Sequence, residues 1–96
     1  MVNKGNGKIS IYGSTNGYQK CDKAYLDIYL ERSTNGKVFN SYLSWEYTAS
    51  NVGSLSQSFT KTVPTGYYYR LRGYHAMQEG GVRESTSTVT SGKWIS

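Results

Sequence analysis

The chain is short of nearly everything that catalysis uses. Among its 96 residues there is one cysteine, one proline and one histidine. A lone cysteine, Cys21, leaves no internal disulfide, so stability has to come from packing and hydrogen bonds. Zinc is disfavoured, because no pair of Cys or His exists to start a tetrahedral site. An acidic calcium loop of the DxDxDG kind is absent. So is a glycine-rich loop followed by Lys-Ser/Thr at a helix start, the usual cradle for nucleotide phosphates. No cofactor is therefore expected.

The six acids are Asp22, Asp27, Glu31, Glu46, Glu79 and Glu84. Asp27 and Glu31 share one face of a predicted strand. Four residues along a strand separate them by ~13 Å, which exceeds the spacing of a glycosidase pair. They read better as solvated groups or as partners of a cross-strand Lys or Arg. His75 and Cys21 offer the one conceivable dyad, but His75 reads as a histidine at the rim of the core, and Cys21 as a small, partly buried residue. The chain is expected not to be an enzyme.

Long apolar runs are also missing. Nothing approaches the ~18 residues of a membrane span, and Met1–Gly7 is polar and glycine-rich, with no apolar segment of a secretory signal. Residues 1–7 are expected to be flexible. The formal charge of +5 comes from scattered lysines and arginines, not from a block that reads as a nucleic-acid or membrane tail.

Aromatics, by contrast, are abundant: ten tyrosines, two tryptophans and two phenylalanines. Such residues fit half-buried pleated surfaces, and the chain alternates apolar with polar nearly throughout. Ile9 and Ile11 share one face of Lys8–Tyr12. In Lys23–Arg32, Ala24, Leu26, Ile28 and Leu30 oppose Tyr25, Asp27, Tyr29 and Glu31. Further strands are predicted at Lys37–Ala49, Ser54–Val63, Tyr67–Met77 and Val82–Ile95, the last with a bend at Ser91-Gly92. Turns are predicted at Ser14–Gly17, Ser33–Gly36, Pro64–Gly66 and Glu79–Gly81, and a loop at Ser50–Gly53. The Asn35-Gly36 pair is a strong hairpin signal. One all-β domain spanning 1–96 follows, with six or seven antiparallel strands in two packed sheets.

The stretch Val63–Gly73, V-P-T-G-Y-Y-Y-R-L-R-G, resembles the E–F corner and F strand of fibronectin type III domains. The resemblance implies an immunoglobulin-like sandwich, with Tyr67 as the corner tyrosine bonding back to the preceding loop and Tyr69, Leu71 and Gly73 facing the core. The tryptophan that this family buries on its second strand is absent; Trp45 lies on the third. Through Tyr25–Ser33 (Y-L-D-I-Y-L-E-R-S), Gly66–Ala76 (G-Y-Y-Y-R-L-R-G-Y-H-A) and Glu84–Gly92 (E-S-T-S-T-V-T-S-G), the chain as a whole is similar to small exported β-sandwich proteins of unknown function from Gram-positive bacteria, which implies a secreted or cell-surface location.

The outward face of Tyr67–Met77 is the candidate site. Tyr68, Arg70, Arg72 and Tyr74 alternate there, and in an immunoglobulin-like arrangement the third strand brings Tyr42, Ser44 and Glu46 alongside. Tyrosine supplies a flat apolar surface with a polar tip, and arginine a planar donor fork. The same residues can also simply stabilise an exposed sheet, at ~0.2–1 kcal/mol per cross-strand pair. Tyr25 and Tyr29 form a second outward pair, expected on the other sheet, and the segments Gln78–Arg83 and Ser50–Ser54 form end loops. Nucleic acid is not expected as a partner, because the strand lacks the aromatic RNP pattern. The leading expectation is a monomeric, non-catalytic extracellular interaction or adhesion module for a protein or glycan partner at a cell surface. The alternatives are a carbohydrate-binding module with Tyr42, Tyr68 and Tyr74 as platforms and Arg70 and Arg72 as donors, and a small secreted effector or inhibitor acting through its loops.

Overall fold

Two strands of unusual length organise the chain. The computed structural model describes residues 1–96, the side chain of Tyr18 excepted. Six strands follow in order: β1 (Val2–Gly5), β2 (Lys8–Ser33), β3 (Asn40–Thr62), β4 (Tyr67–Glu79), β5 (Val82–Val89) and β6 (Lys93–Ile95). β2 and β3 form one antiparallel hairpin, paired from Lys8↔Thr62 at its base to Arg32↔Asn40 at its tip. β1 continues the base along the other side of β2, with Val2↔Ser10. β4 pairs with the tip half of β2 on that same side, from Lys23↔Gln78 to Ser33↔Tyr68. β5 and β6 then lie in succession along the far edge of β4.

All six strands thus belong to one sheet, curled into a half-barrel. The expected division into two sheets does not appear in the hydrogen bonding. The physical reason is that β3 never leaves β2 to cross to a second sheet.

The curl starts where turns were expected. Ser14–Gly17 and Ser50–Gly53 do not reverse the chain; both lie within the long strands, with Ser14–Asn16 paired to Ser54–Ser56, and Ser50 and Val52 paired to Lys23 and Cys21. The register slips there, from Asn16↔Ser54 to Cys21↔Val52, so four residues of β2 oppose Gly53 alone. Such a bulge bends the strands and increases local twist. It also switches parity: Ile9, Ile11 and Thr15 are buried before it, and Ala24, Leu26, Ile28 and Leu30 after it.

The base half of the hairpin consequently lies over its own tip half. A Cβ built on Gly13 would come within 2.8 Å of Ile28 Cδ1. On β3, Trp45 and Phe59 meet edge to face with ring centroids 4.8 Å apart. The core fills the space between: Ile9, Ile11, Leu26, Ile28, Leu30, Val63, Tyr69, Leu71 and Ile95. Fully burying an aliphatic side chain contributes ~1.5–3 kcal/mol, and nearly all of this set comes from β2, β4 and β6.

The hairpin ends follow the turn chemistry. Gly80 and Gly81, at φ +55° and +84°, close the β4–β5 hairpin between Glu79 and Val82, the left-handed pair that a two-residue hairpin demands. The β2–β3 connection is a longer loop, in which Asn35 Oδ1 accepts from the Lys37 and Val38 amides at 2.8 and 3.0 Å. Within residues 1–7, β1 takes Val2–Gly5, and Met1 packs against the core. The break between β5 and β6 takes in Ser91-Gly92.

The tyrosine that bonds back to the preceding loop is Tyr69, not Tyr67. Its hydroxyl donates to the Pro64 carbonyl at 2.5 Å, and the residue is fully buried. Tyr67 sits one step off the core and meets Tyr69 edge to face. The bond satisfies the hydroxyl of a buried tyrosine, and leaving such a polar group unpaired would cost ~1–3 kcal/mol.

Two outcomes test this packing. Gly13→Val should destabilise the protein by ~1–3 kcal/mol in urea unfolding, the cost of overpacking. Were the base half not lying on Ile28, a β-branched residue in a strand would be neutral or stabilising. Burial holds the Tyr69 phenol above its usual value near 10.0, against a smaller opposing pull from Arg32. Above pH 10 the unfolded chain loses this proton and the folded chain keeps it. Stability is therefore complete below pH 10 and falls as pH rises through the folded value. Tyr69→Phe should lower stability at neutral pH and make its alkaline decline shallower, as read by unfolding curves from pH 8 to 12.

Candidate functional site

The outward side chains of the tip layer make one continuous face, because β2 lies directly between β3 and β4. The expected neighbour of the long strand was the third strand; it is β2 instead. Opposite Arg70, Arg72 and Tyr74 stand Glu31, Tyr29 and Asp27. Tyr25 and Tyr29 thus share a face with Tyr68 and Tyr74, not a second sheet.

Tyr68, Arg70, Arg72 and Tyr74 are brought together as expected, and Glu31 organises them. Arg70 Nε lies 2.6 Å from Glu31 Oε1, and Arg72 Nε lies 3.5 Å from Oε2. The carboxylate is largely buried, Arg70 is partly covered and the Arg72 side chain is 50% exposed. One carboxylate therefore serves two guanidinium groups, and the outer one keeps most of its donors in solvent. The Arg70 guanidinium also stacks at 4.2 Å over Phe39, a geometry arginine favours at aromatic faces.

Trp94 completes this end of the face. β6 pairs Tyr68 with Trp94, and their rings meet at 5.0 Å and 61°. Trp94 is 49% exposed. Neither Trp94 nor Phe39 was singled out in the sequence. Trp94 lies on a three-residue strand after a bend, where the period-two signal is too short to set register. Further along, the Tyr29 hydroxyl is pushed above the usual tyrosine range by desolvation and by the charges of Asp27 and Glu46. The basic, aromatic end of the face thus passes into an acidic one.

Tyr42 is not part of this site. A register slip between Leu30 and Glu31 makes it the extra residue of a bulge, which turns a side chain off its alternating parity. Its ring packs with Tyr69 at 6.4 Å. The Arg32 guanidinium lies between the Tyr42 and Tyr67 rings, 4.2 and 4.4 Å from their centroids. Tyr25, at the other end of the outer face, is covered by Arg83 at 4.4 Å.

The inner side carries a groove of about 590 Å³ between the corner of β2 and the hairpin of β4 and β5. The single histidine and the single cysteine both line it. Thr15 Oγ1 donates to the Tyr25 carbonyl at 2.9 Å, so it accepts from His75 Nδ1 at 3.2 Å; Nε2 faces the Thr88 hydroxyl at 2.8 Å. Cys21 Sγ is directed at the Gln19 carbonyl, 3.5 Å away. Both imidazole nitrogens are thus engaged by threonines and the thiol by the backbone, and the two residues form no hydrogen-bonded dyad. Among the described residues, no three His, Cys, Asp or Glu side chains cluster as metal ligands, and no helix is long and apolar enough to cross a membrane.

Comparison with known proteins gives a family without an activity. No curated protein and no solved structure matches the chain. A family model covers residues 1–93, described as a family of unknown function. It supplies no evidence for the immunoglobulin or fibronectin resemblance. The match spans β1 through the start of β6, and so takes in the groove and the outer face short of Trp94: the chain belongs to the family of unknown function DUF6147.

Proposed function

We propose that this protein is a non-catalytic binding module that works at the cell exterior and presents the Tyr68–Arg70–Arg72–Trp94 end of its sheet to an acidic protein surface. The observation that carries the reading is the shared carboxylate. Glu31 stands between two guanidinium groups, so about one positive charge is left over on a face that also carries a half-exposed tryptophan. Tryptophan, tyrosine and arginine are the residue types that dominate protein-binding hot spots. The net charge of +5 adds attraction toward anionic partners,. The sheet holds the arginines in place before a partner arrives, which reduces the ordering cost of binding. The occupied imidazole and thiol fit a non-catalytic role.

A glycan is the second reading, and one feature favours it: the half-exposed Trp94 ring offers a face to a sugar. The other rings do not extend that platform. Tyr68 stands edge-on to Trp94, and Tyr42 lies among Arg32, Tyr67 and Tyr69.

The test is binding to surface-protein extracts and to insoluble wall polysaccharides, each measured for the parent, Trp94→Ala, Arg72→Ala and Lys61→Ala. Lys61 is exposed on the base half of β3, opposite Ile9, and controls for net charge. The proposal expects a discrete protein to be retained, at least tenfold more weakly by Trp94→Ala and Arg72→Ala, with Lys61→Ala unchanged and affinity falling with salt. Retention by polysaccharide with the same residue dependence would replace the protein reading with the glycan one. Equal retention by all four proteins would remove this face as the site.

A further inference from the structure

The half-barrel has a gap, and the gap has the form of a missing strand. On the side of β2 away from β3, β1 pairs as far as Ser10 and β4 begins at Lys23. Among the described residues, 11–22 of β2 have no strand beside them on that edge. β5 faces the same space from the other layer, with every one of its eight residues exposed and no strand on its outer side. The groove lies between these two elements, walled by Ser14 and Asn16 on one side and Thr86 and Thr88 on the other, with Ala76 and Met77 at its floor.

Unpaired strand edges are templates for another strand, and proteins normally cover, shorten or charge them. The β2 edge here is neither short nor charged: Ile11 to Gly17 carries no ionisable group besides Tyr12. Its six residues 11–16 span ~20 Å, enough to hold an extended peptide by main-chain hydrogen bonds. The small side chains facing the groove leave room for a backbone to approach.

Charge narrows the choice of peptide. The carboxylates lining the groove are Glu79 and Glu84, and no lysine or arginine lines it, although cations outnumber acids by 11 to 6 in the chain. Glu84 stands opposite Met77 on the groove side of β5. Local negative charge in a basic protein selects a cationic side chain.

We propose that this groove is a strand-accepting site, filled by an extended peptide segment of a partner protein that runs antiparallel to β2 at residues 11–16 and places a lysine or arginine against Glu84. Backbone pairing supplies affinity, and the alternating side chains supply specificity. The site is separate from the Trp94–Arg72 face, and either can fail without the other.

The test uses the intact, ¹⁵N-labelled protein and an eight-residue peptide of alternating valine and threonine with one central lysine, at up to millimolar concentration. Expected are amide shifts and slowed hydrogen exchange at residues 11–16, shifts along residues 82–89, and none at Phe39 or Trp94. Replacing the peptide lysine by glutamate should weaken binding at least tenfold, and Glu84→Lys, on an exposed strand, should reverse that preference. A peptide N-methylated on alternate amides should not bind. No response at millimolar peptide, equal binding of the N-methylated peptide, or shifts confined to the Trp94 face would each overturn the proposal. So would a free protein that is already a dimer with residues 11–16 protected, since a second copy would then occupy the groove.

Discussion

Everything in this molecule depends on one hairpin lying down on itself. A two-stranded ribbon of 26 and 23 residues cannot bury an apolar face alone, since an isolated hairpin is marginal in water. The bulge between Asn16 and Cys21 solves this by bringing Gly13 onto Ile28 and Phe59 onto Trp45. β2 is then buried against its own continuation. β4 and β6 add Tyr69, Leu71 and Ile95 to that space. Without the bend there would be an extended sheet with one greasy side and no core.

The two faces of the tip layer inherit different tasks from this arrangement. The inner face is committed to the core as far as the base half reaches, and becomes a groove beyond it. The outer face is left to solvent, and there cross-strand chemistry takes over. Glu31 with Arg70 and Arg72, Arg70 on Phe39, Arg83 on Tyr25 and Tyr68 on Trp94 hold the exposed side chains in fixed positions. Such contacts contribute little each to stability. Their consequence is a surface whose rings and guanidinium groups are already oriented.

Much of this was legible in the sequence, and the illegible part has a common cause. The alternation in Lys23–Arg32 and Tyr67–Leu71 identifies the buried residues one by one, because a sheet has period two and the burial follows it. The Gly80-Gly81 and Asn35-Gly36 signals mark real hairpin ends. Four of the five candidate residues stand together because they share one strand. What failed depended on register. Ser14–Gly17 and Ser50–Gly53 carry the residue types of turns, yet those residues serve equally at a bulge, and sequence alone does not say that the two segments flank the same register slip. The same ambiguity displaced Tyr42, moved the bond back to the preceding loop from Tyr67 to Tyr69, and placed β3 rather than β2 beside β4. Trp94 was missed because three residues are too few to show a period.

The most direct measurement of this account is a nuclear Overhauser spectrum of the intact protein, read at the Ile28 δ1 methyl. The account predicts a strong cross-peak from that methyl to the Gly13 α-protons, together with cross-strand contacts between Asn16 and Ser54 and between Cys21 and Val52. Cross-strand contacts with no Ile28–Gly13 peak would mean that the hairpin forms but does not fold over, and would contradict the half-barrel, its core and its groove together.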